Sequence, residues 1–106
     1  MSLAEHLHHL SASYPESLQE VFDPAAVTYS VEIEVDARDT PCPMPLLKAK
    51  QALRNLQSSQ RLRVIATDSG SVKDFVSFAK IARHRITHFY VDNIFFYYVL
   101  QKGSAE

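Results

Sequence analysis

The chain has 106 residues, 46% hydrophobic and 22% charged, with a formal net charge of −1. That suits one globular domain able to bury a core unaided, and it excludes a disordered or membrane-spanning chain. A single cysteine excludes an internal disulfide and any paired-cysteine redox or zinc site, and it fits a reducing compartment.

Residues 1–26 read as a partly helical N-terminal extension. Leu3, Leu7 and Leu10 lie at helical spacing, Pro15 breaks the pattern, and Ser17 to Glu20 has capping-box spacing before a second short turn that ends at Asp23-Pro24. His6, His8 and His9 lack the cysteines or carboxylates of a metal set, so they read as a polar face and no metal is expected. No basic region precedes an apolar one here, which points away from a secretory signal and towards the cytoplasm.

From residue 27 onward the pattern is that of a domain. Val27, Tyr29, Val31, Ile33 and Val35 alternate with polar residues and predict a half-buried strand. Residues 36–41 form a loop into Cys42-Pro43-Met44-Pro45. Leu46, Ala49, Leu53 and Leu56 then repeat at helical spacing. Cys42 therefore falls at a helix start, stiffened by Pro43 and Pro45 in the first turn. A thiol there feels the positive end of the helix dipole, which predicts a thiol more acidic than that of a free cysteine.

Arg61 to Thr67 predicts a buried second strand parallel to the first, and the helix between them is the crossover. Asp68 to Ser71 is a turn into a second helix with an apolar stripe of Val72, Phe75, Phe78, Ala79 and Ala82. Ile86 to Leu100 reads as a hairpin with a tight Asp92-Asn93 turn. The order β-α-β-α-β-β predicts an α/β (α+β) two-layer sandwich: a four-stranded mixed sheet with two helices on one face.

Charge is unevenly spread. The first 40 residues hold eight acidic residues against one basic, whereas the remaining 66 hold ten basic against four acidic. A basic body would steer an acidic partner. Lys48 and Lys50 on the first helix, with Arg61 and Arg63 nearby in sequence, are the candidate docking residues.

The stretch from Val35-Asp36 through Cys42-Pro43-Met44-Pro45-Leu46-Leu47, followed by Ala66-Thr67-Asp68-Ser69-Gly70 and Ser71 to Phe75, resembles the TusA (SirA-like) sulfur-carrier family. The resemblance runs from about Val31 to the C-terminus. It implies that Cys42 carries a sulfane sulfur as a persulfide, taken from a cysteine desulfurase and relayed to an acceptor protein, for example in tRNA thiolation. It implies supporting roles for Asp36, Pro43 and Pro45, a TusA/SirA-like domain over residues 27–106, and a relay without a cofactor rather than an independent multi-turnover enzyme. A monomer is expected, with direct tRNA contact a further possibility and no membrane partner. The chain departs from the family pattern at Asp39-Thr40, where Gly-Leu is usual, at Pro41, often Arg, and at Arg83-His84, where Gly-His is common.

Two other classes compete. One is an RNA- or protein-binding regulatory module with no sulfur-transfer role, using the basic body. The other is a cysteine hydrolase with His84 or His88 as base, for which no local signature is present.

Overall fold

The computed structural model describes residues 14–103. The predicted helix around Leu3, Leu7 and Leu10, and His6, His8 and His9, lie outside these residues. Four strands, β1 (Ile33–Ala37), β2 (Arg61–Ala66), β3 (Arg85–Asp92) and β4 (Phe95–Gln101), form one mixed sheet in the order β1-β2-β4-β3. The β1–β2 pair is parallel and the other two are antiparallel. The helices are α1 (Glu16–Gln19), α2 (Met44–Leu53) and α3 (Ser71–Ala82), with a 3-10 turn at Pro24–Val27.

Alternation along the strands sends one set of side chains to the helices. Ala37, Leu62, Val64, Ala66, Phe89, Val91, Phe96, Tyr98 and Leu100 are buried in one cluster with Ala49 and Leu53 of α2 and Val72 and Phe75 of α3. Phe75 stacks on Tyr98 with centroids 4.4 Å apart, and the Tyr98 hydroxyl meets Ser71 Oγ at 2.8 Å, so its buried polar end is satisfied. Helices α2 and α3 thus share one face of a four-stranded mixed sheet, as the element order predicts.

Local boundaries differ from the pattern. The first strand starts at Ile33, not Val27, because Asp23 accepts from the Ala25 N–H and starts the 3-10 turn with Pro24. The hairpin turn is Asn93-Ile94, one residue later than expected, and Asn93 takes the positive φ of 60°. The capping box at Ser17 is not used: Ser17 lies inside α1, and the residue before that helix is Pro15.

The N-terminal segment wraps the β3 edge. Tyr14 and Phe22 pack edge-on against Phe89, and Leu18 is buried at 1% exposure in the common core. Val21 C=O accepts from Phe89 N–H, and Asp23 N–H donates to Phe89 C=O, a short parallel bridge along β3. The chain then crosses to the back of the sheet. There Ala26 is fully buried and Tyr29 packs against His88 with the rings tilted. These contacts tie residues 14–29 to the sheet.

Candidate functional site

Cys42 lies beyond the C-terminal end of β1, where the parallel neighbour β2 also ends, and its thiol is exposed. Two ties hold the β1–α2 loop to the β2–α3 loop. Asp39 N–H donates to Thr67 Oγ1 at 2.9 Å, and Cys42 N–H donates to Asp68 Oδ2 at 2.5 Å. Asp68 Oδ1 also accepts from Gly70 N–H at 2.8 Å, so one carboxylate orders both loops. Gly70 passes close by: a Cβ there would lie 3.2 Å from Asp68 Oδ1 and 3.6 Å from Cys42 Cβ. The requirement is space, since its φ is −63°.

Pro43 is the N-cap of α2 and lacks a donor, as does Pro45 one residue past Met44. The Met44 N–H turns back to the Pro41 carbonyl. Little of the helix's usual donor set therefore faces the thiol. Instead the Cys42 Sγ–H donates to Asp74 Oδ2, from the first turn of α3. The thiol pKa is raised, first by that hydrogen bond, then by desolvation and by the charges of Asp74 and Asp68. This reverses the acidity expected from the helix start. A full carboxylate charge at hydrogen-bond distance outweighs the fractional charge of a donor-poor helix end. Asp68 itself is shifted down by the N–H groups of Cys42 and Gly70.

The remaining candidates divide. Pro45 is buried in the first turn of α2, whereas Pro43 is exposed beside the thiol. The Asp36 carboxylate does not turn to Cys42. It takes a two-point contact from Arg38, Nε and Nη2 both at 2.9 Å, which holds it well below the usual carboxylate range. Its carbonyl accepts from Lys48 Nζ at 3.3 Å. Lys50 sits 5.4 Å over the Phe78 ring. With Leu46, Asp74, Ser77, Phe78 and Ile81 it lines a shallow groove of about 270 Å³ between α2 and α3, which opens beside the thiol. Met44 and Leu47 add exposed apolar surface at the same helix start.

Arg61 and Arg63 do not join them. Arg63 is buried at 6% exposure on the back of the sheet, donating to the Tyr29 carbonyl at 2.5 Å and pairing with Glu34 at 3.3 Å. Arg61 lies over Tyr29 and opens β2, roughly 17 Å of strand away from the end that carries Cys42. Both are near α2 in sequence, but the crossover connection carries Arg61 to the far end of the sheet and β2 turns Arg63 to its back face. His84 and His88 are also engaged elsewhere, His84 Nδ1 with the Gly103 N–H and His88 Nδ1 with Thr87 Oγ1.

Asp68 and Asp74 are the functional side chains that sequence reasoning did not single out. The available signal is the Asp-x-Gly turn and an acidic residue in the first turns of α3, both of which read locally as turn and helix-start chemistry.

A single exposed thiol at the head of a helix, on a two-layer sandwich, defines a class of small proteins that present one sulfur. The TusA family model, described as "Sulfurtransferase TusA", matches residues 33–102, and the chain belongs to that family. It is 42% identical over 70 residues to the "Sulfur carrier protein TusA" of Allochromatium vinosum, covering 66% of this chain and 92% of that one. It is 33% identical over 69 residues to the "Putative sulfur carrier protein YrkI" of Bacillus subtilis, covering 65% and 92%. Its fold is similar to the crystal structure of a SirA-like protein from Desulfitobacterium hafniense, with a TM-score of 0.61 at 23% identity, covering 69% of this chain and all of that one. Among the described residues no helix is long and apolar enough to cross a membrane.

Proposed function

We propose that the chain is a cytoplasmic, monomeric persulfide carrier. Cys42 accepts one sulfane sulfur from a cysteine desulfurase and relays it to an acceptor protein, with tRNA thiolation among the pathways it can serve. The observation that carries this reading is the exposed Cys42 thiol at the head of α2, inside the segment matched by the family. The chemistry is thiol exchange. The Cys42 thiolate attacks the outer sulfur of the donor persulfide, a new S–S bond forms, the donor S–S bond breaks, and the donor cysteine leaves as a thiolate. No oxidant or metal enters that balance. An open surface suits it, since the sulfur must reach into another protein's site.

Lys48 and Lys50 remain the cationic docking residues of this reading, now with the apolar groove beside Lys50. Incubation with a cysteine desulfurase and L-cysteine, followed by intact mass measurement, tests the proposal. One added sulfur is expected on the wild type, removed by reductant, and none on Cys42→Ala. Absence of uptake from any desulfurase of the same host would sink the carrier reading.

A further inference from the structure

The thiol of a carrier has to be exposed, yet an exposed thiolate would react with any disulfide or oxidant it meets. This chain places two carboxylates around its exposed cysteine. Asp68, from the β2–α3 loop, binds the Cys42 backbone, and Asp74, from α3, binds the sulfur itself. The cations nearest in sequence are directed elsewhere: Lys48 to the Asp36 carbonyl, Lys50 onto the Phe78 ring, and Arg38 onto the Asp36 carboxylate. The two side chains that reach Cys42 from the β2–α3 loop and from α3 are therefore both carboxylates.

Asp74 also lines the α2–α3 groove, so its carboxylate is open to whatever docks there. We propose, resting on the carrier reading, that Asp74 is a positioning residue that keeps the Cys42 thiol protonated in the free carrier, and that a cationic side chain of the sulfur donor releases it by pairing with Asp74 in the docked complex. On release the thiol proton passes to water. The thiolate takes the outer sulfur of the donor persulfide, and the departing donor thiolate takes a proton from water, so charge and atoms balance and nothing is oxidised overall. The arrangement ties reactivity to docking: a small reagent brings no cation to Asp74, and a matched donor does.

Two rates on the same variants test this. In Asp74→Asn, the rate of iodoacetamide alkylation of the free protein at pH 7 should rise by more than twofold, because the thiol loses the carboxylate that holds its proton. Sulfur loading by the desulfurase should fall, because the donor's cation has lost its counter-charge. Asp74→Glu should move both rates back towards wild type. A side chain that merely supports the loop would move both rates in one direction, and that result would overturn the proposal, as would alkylation within twofold of wild type. If the wild type takes up no sulfur at all, the carrier reading fails, and the alkylation arm still decides whether Asp74 holds the thiol.

Discussion

Leu18→Ala isolates the contribution of the segment that precedes the first strand. Leu18 is 1% exposed and belongs to the same buried cluster as Phe75, Phe89 and Tyr98. With Val76, Ala79 and Ile86 it lines the cleft between α3 and β3. Truncating a fully buried leucine loses its transfer energy and leaves a partly unfilled cavity, about 2–5 kcal/mol in total. A domain of this size holds about 5–15 kcal/mol, so the loss takes a large share. With a urea m-value of roughly 1–3 kcal/mol/M, the unfolding midpoint should fall by about 1 M or more. Far-UV circular dichroism in urea at pH 7 reads it. Leu47→Ala is the internal control, because Leu47 is 43% exposed and its truncation should cost no more than about 0.5 kcal/mol. Equal shifts for the two variants would refute the reasoning. A chain starting at Ala26 also loses the Val21–Asp23 pairing along β3, and it should unfold with lower cooperativity than the full chain.

Two further outcomes follow from backbone and titration. Arg83 caps α3 at φ 62°, a left-handed position that favours glycine, and its side chain is exposed, so Arg83→Gly should raise stability by about 0.5–1 kcal/mol in the same urea assay. His84 is shifted down, chiefly by burial and then by the Lys102 charge, and its neutral Nδ1 accepts the Gly103 N–H at 3.0 Å. The unfolded histidine therefore protonates first: its contribution is complete above the unfolded pKa of about 6.5 and is lost as pH falls towards the lower folded value. Unfolding free energies measured from pH 7 to pH 5 should drop, and His84→Gln should flatten that slope; an unchanged slope would exclude His84 as its source.

The two crossover helices were legible because their apolar residues recur on one face over whole turns: Ala49 and Leu53 on α2, Val72, Phe75 and Ala79 on α3. Cys42 was legible as a unique residue inside a spaced motif. The start of β1 was not, because residues 27–35 alternate as a strand does, yet only Ile33 onward has a sheet neighbour, beginning opposite Leu62. In β3 a register shift between Ile86 and His88 lets Ile86 and Phe89, three apart, both face the helices, which breaks the two-residue period. The acidic surroundings of the thiol were hidden for a different reason. Asp68 and Asp74 lie 26 and 32 positions from Cys42, and only the parallel β1–β2 pairing brings them there. The burial of Arg63 is not legible either, because it depends on the N-terminal segment crossing the back of the sheet.

The loop substitutions near the thiol look at first like a threat to its placement, and the backbone argues otherwise. Asp39 occupies the position where the family usually has glycine, and it adopts φ 61°, a conformation aspartate tolerates better than most residues. The turn a glycine would make is therefore kept. Asp39 is then tied through its own N–H to Thr67, and Cys42 through its N–H to Asp68. Both ties use main-chain donors on the loop, and the Thr40 hydroxyl adds a third by donating to the Ala37 carbonyl at 2.7 Å. Replacing loop side chains leaves the two main-chain donors intact, so the sulfur stays where the β2–α3 loop puts it. What changes is the chemistry displayed beside it. Asp39 sets a further carboxylate on the exposed loop, and Pro41 supplies the carbonyl that receives the Met44 N–H. Within the β1–α2 loop, the thiol's position thus rests on main-chain donors that meet side-chain acceptors of the β2–α3 loop, whereas the surface offered to a partner is made by the loop's own side chains. A carrier built this way can vary its partners by substitution in the loop without moving the sulfur.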